Sequence, residues 1–248
     1  MLRPRTRAAI RAAREAGLHV VVVTGRMFRS VRPYLREAGL DDPAVCYQGA
    51  VVAAPSTGEF LRHVPIPLEL AREGIAAVEE EGFGLNCYVD DELYVAEVTP
   101  EAGRYADFQN LELHVVGRLL DWLDRPPTKL VVIEDPEVLD GLEARLKVRF
   151  HDRLYISKSL PYFLELAHPD VTKASGMAFL AERLGFTAAE TVAFGDGEND
   201  VELLEWAGYG VAVANAHERV LKVADLVCPS VDEEGVAQTI EAFLDSKT

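Results

Sequence analysis

Residues 192–200 read VAFGDGEND, an apolar run that stops at Gly195 and is followed at once by Asp196, Glu198, Asn199 and Asp200. A carboxylate at the carboxyl end of a buried strand stands where open α/β sheets bind their ligands. Asp196 and Asp200 are four positions apart across a turn that opens a helix, and hard oxygen donors of this kind suit Mg2+ better than Zn2+ or copper. A second reading stays open, with Asn199 as a helix N-cap, Glu202 completing a capping box, and the acids favouring the helix dipole. An EF-hand is excluded, because Val201 stands where that loop needs glycine and Ala207 where it needs the bidentate acid.

Two other groups have the types and settings for anion chemistry. In VVVVTGR, Thr24 and the backbone N–H groups of Gly25 and Arg26 follow an apolar strand and precede a helix, an arrangement suited to an oxyanion. The same residues would equally serve as an ordinary strand-to-helix turn with a Thr N-cap. Lys173, in HPDVTKASGMAFL, opens a helix, where a cation is electrostatically misplaced unless an anion or carboxylate lies opposite it. The alternative is a solvated lysine with Asp170 as its local counter-charge.

Several chemistries find no support. Cys46, Cys87 and Cys228 are far apart and lack CxxC spacing, which points to a reducing cytoplasm and away from disulfides or a cysteine metal cage. The six histidines show no metal-ligand spacing. There is no G-x-S-x-G elbow and no P-loop, and GFG at 82–84 lacks the third glycine of a dinucleotide fingerprint. A net charge of -16 argues against a surface that tracks nucleic-acid phosphates or anionic lipid, so a small-molecule partner is expected. The Arg-rich opening MLRPRTRAAIRAAREAG lacks the apolar core and cleavage site of a signal peptide, and no apolar run reaches the roughly eighteen residues of a membrane span.

The elements that must position these groups alternate in type. PRTRAAIRAAREAG reads as a helix with Pro4 in its first turn, Ala9, Ile10, Ala13 and Ala16 as the buried stripe, and Gly17 as the stop. A continuous strand is expected from His19 to Val23, a helix from Met27 to Ala38, then AVCYQGAVVA as strand, turn and strand, and GEFLRHVPIP as a hairpin return. From Leu68 the texture changes to a helix through Glu81, and then to two period-two strands in FGLNCYVDDELYVAEV joined at Asp90 and Asp91. PPTKLVVIED reads as strand, Pro136 to Leu146 as helix and VRFHDRLYISKS as strand, which together make an α+β insert. After about Leu160 the doubly wound pattern returns: YFLELAH as strand, Lys173 to Leu184 as helix, TVAFGD as strand, Asp200 to Ala207 as helix, then YGVAV and ADLVC as strands. The expected organisation is an α/β core with a parallel sheet in residues 1–67 and 160–248, interrupted by an α/β cap in 68–159.

In that order and context, VVVTGR, CYQGAVV, VTKASGMAFLAERLG, AFGDGENDVELLEWAGYGVAVANA and EEGVAQTIEAFL resemble the haloacid dehalogenase (HAD) superfamily, and within it the Cof-like, IIB branch. The resemblance runs from Pro4 to Leu244 and implies a Rossmann-like core with an inserted cap. It implies a Mg2+-dependent phosphatase of a small phosphorylated metabolite such as a sugar phosphate, in which an aspartate attacks phosphorus and a second aspartate protonates the leaving oxygen. By the same resemblance Thr24, Gly25 and Arg26 would hold phosphoryl oxygens, Lys173 would neutralise the phosphoryl group, and Asp196 and Asp200 would bind Mg2+. Asn199 would reach the phosphate side or Lys173. Gln48 stands where members often carry Asn, in the loop facing the cap, which implies leaving-group contacts.

One departure stands out. The family's nucleophile lies in an Asp-x-Asp-Gly-Thr motif at the end of a first strand that precedes the helix beginning here at Pro4, and this sequence shows neither that strand nor that motif. The expectation is therefore an upstream start about 15 to 20 residues earlier, the length of one strand plus its loop. The alternatives are a true truncation, or a non-catalytic relative that binds a phosphometabolite; the chain as written is expected to be inactive.

Overall fold

The computed structural model describes residues 2–109 and 111–246. In chain order it has helices α1 (Pro4–Glu15) and α2 (Phe28–Ala38), strands β1 (Ala44–Cys46), β2 (Val51–Ala53) and β3 (Phe60–His63), then α3 (Leu68–Glu80), β4 (Asn86–Val89) and β5 (Glu92–Val95). Next come α4 (Pro100–Gln109), β6 (Leu113–Val115), α5 (Leu119–Trp122), β7 (Lys129–Ile133), α6 (Pro136–Phe150), β8 (Tyr155–Leu160) and β9 (Phe163–Ala167). The chain finishes with α7 (Lys173–Leu184), β10 (Val192–Gly195), α8 (Val201–Trp206), β11 (Tyr209–Val213), α9 (Glu218–Val223), β12 (Leu226–Cys228) and α10 (Gly235–Asp245).

The chain divides into two compact units, residues 1–25, 31–61 and 172–248 in the first and 26–30 and 62–171 in the second. In the first, Pro4 opens α1 and Gly17, at φ 82°, ends it, as composition demands. Ala9 and Ala13 are buried, while Ile10 is half-buried and Ala16 is exposed, a narrower stripe than the spacing implied. α10 packs on α1, and Arg5 forms a bidentate pair with Glu241.

The sheet of this unit comes in two pieces. β1, β2 and β3 are neighbours in one, and β10, β11 and β12 form a parallel ladder in the other. The strand expected over His19 to Val23 is reduced to a single parallel bridge, Val23 with Val45, made by Thr24 N–H to Val45 O and Val45 N–H to Val22 O. The physical reason is one-sided pairing: no described strand lies on the far side of Val21 and Val23, nor on the side of β10 opposite β11. Val20 to Val23 are consequently only half-buried, although an all-valine run of this kind is the composition of a central parallel strand. Val21 and Val23 pack into the same apolar cluster as Ala193, Val201 and Leu204, so both pieces of sheet border one core.

The second unit is a six-stranded sheet in the order β6-β5-β4-β7-β9-β8, antiparallel except between β5 and β6. Asp90 and Asp91, at φ 53° and 60°, form the two-residue turn between β4 and β5 that the sequence implied. One face of the sheet carries Cys87, Val89, Leu130, Val132, Leu164 and Leu166 against α3 and α6. Two expectations are corrected here. YFLELAH is not a core strand, because β9 pairs with β7 and β8 and the unit runs on to Val171. Val148 to Phe150 are not strand, because α6 continues through Phe150, whose ring joins the buried cluster together with Leu146, Leu142 and Leu139 at helical spacing. No helix among the described residues is long and apolar enough to cross a membrane.

Candidate active site

The first unit gathers most of the residues that could do chemistry. Lys173 opens α7 behind a Thr172 N-cap, whose hydroxyl accepts from Ser175 N–H at 3.0 Å while Ser175 Oγ accepts from Thr172 N–H at 3.1 Å. The cap fixes the first turn, and Lys173 is buried at 7% exposure. Its ammonium donates to Asp200 Oδ1 at 2.5 Å and to Asn199 Oδ1 at 3.3 Å. The carboxylate opposite a helix-starting lysine is therefore Asp200, not the local Asp170.

Asp200 is itself buried, at 4% exposure, and both of its oxygens are in use. Oδ2 accepts from the backbone N–H groups of Asp196 at 3.1 Å and Gly197 at 3.0 Å, which ties the strand-end loop into a tight turn. Gly195 makes room for this: a Cβ there would lie 2.6 Å from the Asp200 Cβ. Asp196, by contrast, is exposed, and its carbonyl oxygen accepts from His217 N–H at 2.8 Å while its carboxylate has no described partner. The capping alternative does not hold for Asn199. α8 starts at Val201 without a side-chain cap, and the Asn199 amide is directed elsewhere.

That direction is toward Gln48. Asn199 Nδ2 donates to Gln48 Oε1 at 3.0 Å, and Gln48 N–H donates to Thr24 O at 3.1 Å. Thr24, Gln48, Asn199, Lys173 and Asp200 thus form one hydrogen-bonded chain. Tyr47 and Gln48 both lie in the left-handed region, at φ 52° and 59°, and Gly49 follows at φ 108°. Residues other than glycine hold that conformation at a cost, and such strain persists where surrounding contacts over-determine it. Here the contacts are close: a Cβ on Gly25 would lie 2.4 Å from Gln48 Nε2, and one on Gly49 would lie 2.0 Å from Thr172 O. Gly176, in the first turns of α7, approaches Gly49 so nearly that a Cβ there would meet its Cα at 2.9 Å. The strained turn therefore seats directly on the N-terminus of the helix that carries Lys173.

The residues singled out in the sequence fall into place unevenly. Thr24, Gly25, Gln48, Lys173, Asp196, Asn199 and Asp200 lie in the first unit, whereas Arg26 belongs to the second. What sequence reasoning missed is the glycine pair Gly49 and Gly176 and the role of Gln48 as partner of Asn199; neither spacing nor composition signals a left-handed turn at a Tyr-Gln pair. For a divalent metal, the donor chemistry fits in part. Asp196 offers an uncommitted carboxylate, while Asp200 is spent on Lys173 and two N–H groups. Among the described residues no group of three or more His, Cys, Asp or Glu could hold an ion unaided. That is compatible with Mg2+, which binds through one or two carboxylates plus water and substrate phosphate, and less so with a metal that needs a full protein cage.

Comparison with known proteins points the same way. The family profile described as haloacid dehalogenase-like hydrolase matches residues 1–240. A crystal structure of a Thermotoga maritima protein is 31% identical, with a TM-score of 0.85 over 97% of this chain and 90% of that one. The pyridoxal phosphate phosphatase YbhA of Escherichia coli is 29% identical over 98% of this chain and 92% of its own. A phosphoglycolate phosphatase of Archaeoglobus fulgidus is 29% identical over 94% and 86%.

Proposed function

Because the chain belongs to the haloacid dehalogenase-like hydrolases, we propose that its site is that of a Mg2+-dependent, Cof-like phosphatase for a small phosphorylated metabolite such as a sugar phosphate. The observation that carries this reading is the buried Lys173 ammonium, held by Asp200 and Asn199 at a helix start. A cation fixed there in low dielectric is worth far more to a phosphoryl group than one in water. Thr24, with the N–H groups of the turn after it, supplies neutral donors for the same oxygens, and they need no reorganisation when charge moves during transfer. Asp196 is the residue that would hold Mg2+, which when bound would draw negative charge from the phosphoryl group. The relatives that act on pyridoxal phosphate and phosphoglycolate support small phosphomonoesters as the substrate class.

The attacking group is the part this reading must place. Asp200 is committed to Lys173, and Asp196 is assigned to the metal, so neither is offered for in-line attack. A strand ending in Asp-x-Asp-Gly-Thr would find two unpaired parallel edges bordering one core, at Val20 to Val23 and at β10. On this reading the 248-residue chain hydrolyses p-nitrophenyl phosphate negligibly with Mg2+, and the same chain preceded by such a strand turns it over. Turnover by the 248-residue chain that survives Asp196→Asn and Lys173→Ala would overturn both the nucleophile and the site.

A further inference from the structure

We propose that Gln48 is a positioning residue: it fixes the amide orientation of Asn199 and thereby the place of the Lys173 ammonium, rather than contacting a leaving group. This deepens the phosphatase reading and rests on it for its consequence, though not for its geometry. A primary amide has one acceptor and one donor end, and only one of the two ways round suits a neighbouring ammonium. In this site Nδ2 of Asn199 donates to Gln48 Oε1 at 3.0 Å, which leaves Oδ1 to accept from Lys173 Nζ at 3.3 Å. Without the Gln48 carbonyl, the amide is free to turn its NH2 toward the ammonium, where donor would face donor.

Three further observations give Gln48 this task. Its side chain is buried at 5% exposure and makes no other described side-chain hydrogen bond, so its buried oxygen has one purpose. Its backbone is held at φ 59°, where glycine would be at ease, so the turn keeps a strained residue for the sake of its side chain. The space it occupies is kept open by Gly25, where a Cβ would lie 2.4 Å from Gln48 Nε2. A shorter Asn at 48 starts from the same backbone but falls one methylene short of Asn199.

The test uses Gln48→Gly, which relieves the strain, and Gln48→Asn, which keeps a polar residue tolerant of the left-handed region. The first readout is the side-chain amide signal of Asn199 by NMR, assigned by its loss in Asn199→Ala. In the wild-type chain its two protons should exchange slowly and differ strongly in shift, and in both variants they should move to free-amide behaviour. The second readout is the dissociation constant of inorganic phosphate by calorimetry. It should rise about fivefold in either variant, the weight of one lost hydrogen bond, measured well below the melting temperature of each. In an Asn199→Ala background the same substitutions should change phosphate affinity less than about twofold, because the effect travels through Asn199. An Asn199 amide unmoved by both substitutions would overturn the inference and leave the phosphatase reading standing. Equal losses of phosphate affinity with and without Asn199 would also overturn it, since they would mark a general packing role. A wild-type chain that binds no phosphate while the amide responds as expected would instead remove the functional reading and keep the geometric one.

Discussion

The buried pair of Lys173 and Asp200 should be asymmetric in what its two halves contribute to stability. Asp200→Ala removes three hydrogen bonds at once: the 2.5 Å contact with Lys173 and the two backbone N–H contacts of Asp196 and Gly197. It leaves an ammonium whose side chain is 8% exposed with Asn199 Oδ1, at 3.3 Å, as its remaining described partner. Removing one partner of a buried ion pair costs about 3–5 kcal/mol. Lys173→Met also breaks the buried pair, but the carboxylate it leaves still accepts two N–H bonds through Oδ2, so the expected cost is at the low end of that range, about 3 kcal/mol. The double variant Lys173→Met with Asp200→Asn should lose less than the sum of its single changes. Urea unfolding followed by the fluorescence of Trp206, in α8 immediately after the loop, measures this in a Trp122→Phe background that silences the other tryptophan. For a domain of this size the Asp200→Ala loss corresponds to a drop of roughly 6–20 °C in melting temperature. A cost below about 1 kcal/mol for Asp200→Ala, or equal costs for the two single variants, would refute the claim that Asp200 organises both the lysine and the loop.

Other outcomes follow from the same packing. Gly176→Ala places a Cβ 2.5 Å from Val45 Cγ1 and 2.9 Å from Gly49 Cα, so α7 must back away from the strained turn; denaturant titration should show a loss of about 1–3 kcal/mol, together with weaker phosphate binding. Cys46, Cys87 and Cys228 are buried, and burial pushes the Cys87 thiol up to about 12, so a disulfide reagent at pH 8 should label none of the three before unfolding and all of them after. Burial holds His63 below its ordinary pKa of 6.5, against a weaker opposing pull from Asp90, and its Nε2 lies 2.9 Å from Thr128 Oγ1. Its contribution to stability is therefore intact above about pH 6.5 and declines as pH falls toward the folded value, since the unfolded state takes up the proton first. Melting temperatures from pH 8 to 5 should fall less steeply in His63→Gln than in the wild-type chain.

How much of this could be read from residues alone depended on whether the deciding interaction was local. The helix from Lys173 to Leu184 was legible to the residue, because Thr172, Ser175 and Gly185 punctuate it within a few positions. So was the Asp90-Asp91 turn, set by two alternating strands. YFLELAH was harder, because an apolar strand looks the same in either unit and only its pairing with β7 and β8 assigns it. The valines at 20–23 mark a strand by composition, yet a strand also needs a neighbour, and that lies outside any local pattern. Within the candidate site, Asp196, Asn199, Asp200 and Lys173 stood out by type and spacing, each with a structural alternative beside it. The division of labour between the acids did not, because it rests on which oxygens Lys173 and two N–H groups had already claimed.

The first unit is assembled from three stretches, and residues 1–25 and 31–61 acquire their helix α7, their ladder β10-β11-β12 and the packing of α10 on α1 only from residues 172–248. During synthesis the valine run at 20–23 emerges more than a hundred residues before those partners do. At about 5–20 residues per second that is an interval on the order of ten seconds, in which the run can pair with Val45 but the apolar core it shares with Ala193, Val201 and Leu204 is still missing. The second unit, nearly continuous from 62 to 171, can fold meanwhile, and in doing so shortens the loop that the first must close. Yield of native protein should therefore depend on translation rate and on chaperones that mask strands, and a permuted chain that begins at residue 172 and joins the adjacent α10 to α1 through a short linker would place the late partners first. Such a chain removes the waiting period, and a few residues placed ahead of Thr172 would keep the N–H that donates to Ser175 Oγ in the cap before Lys173.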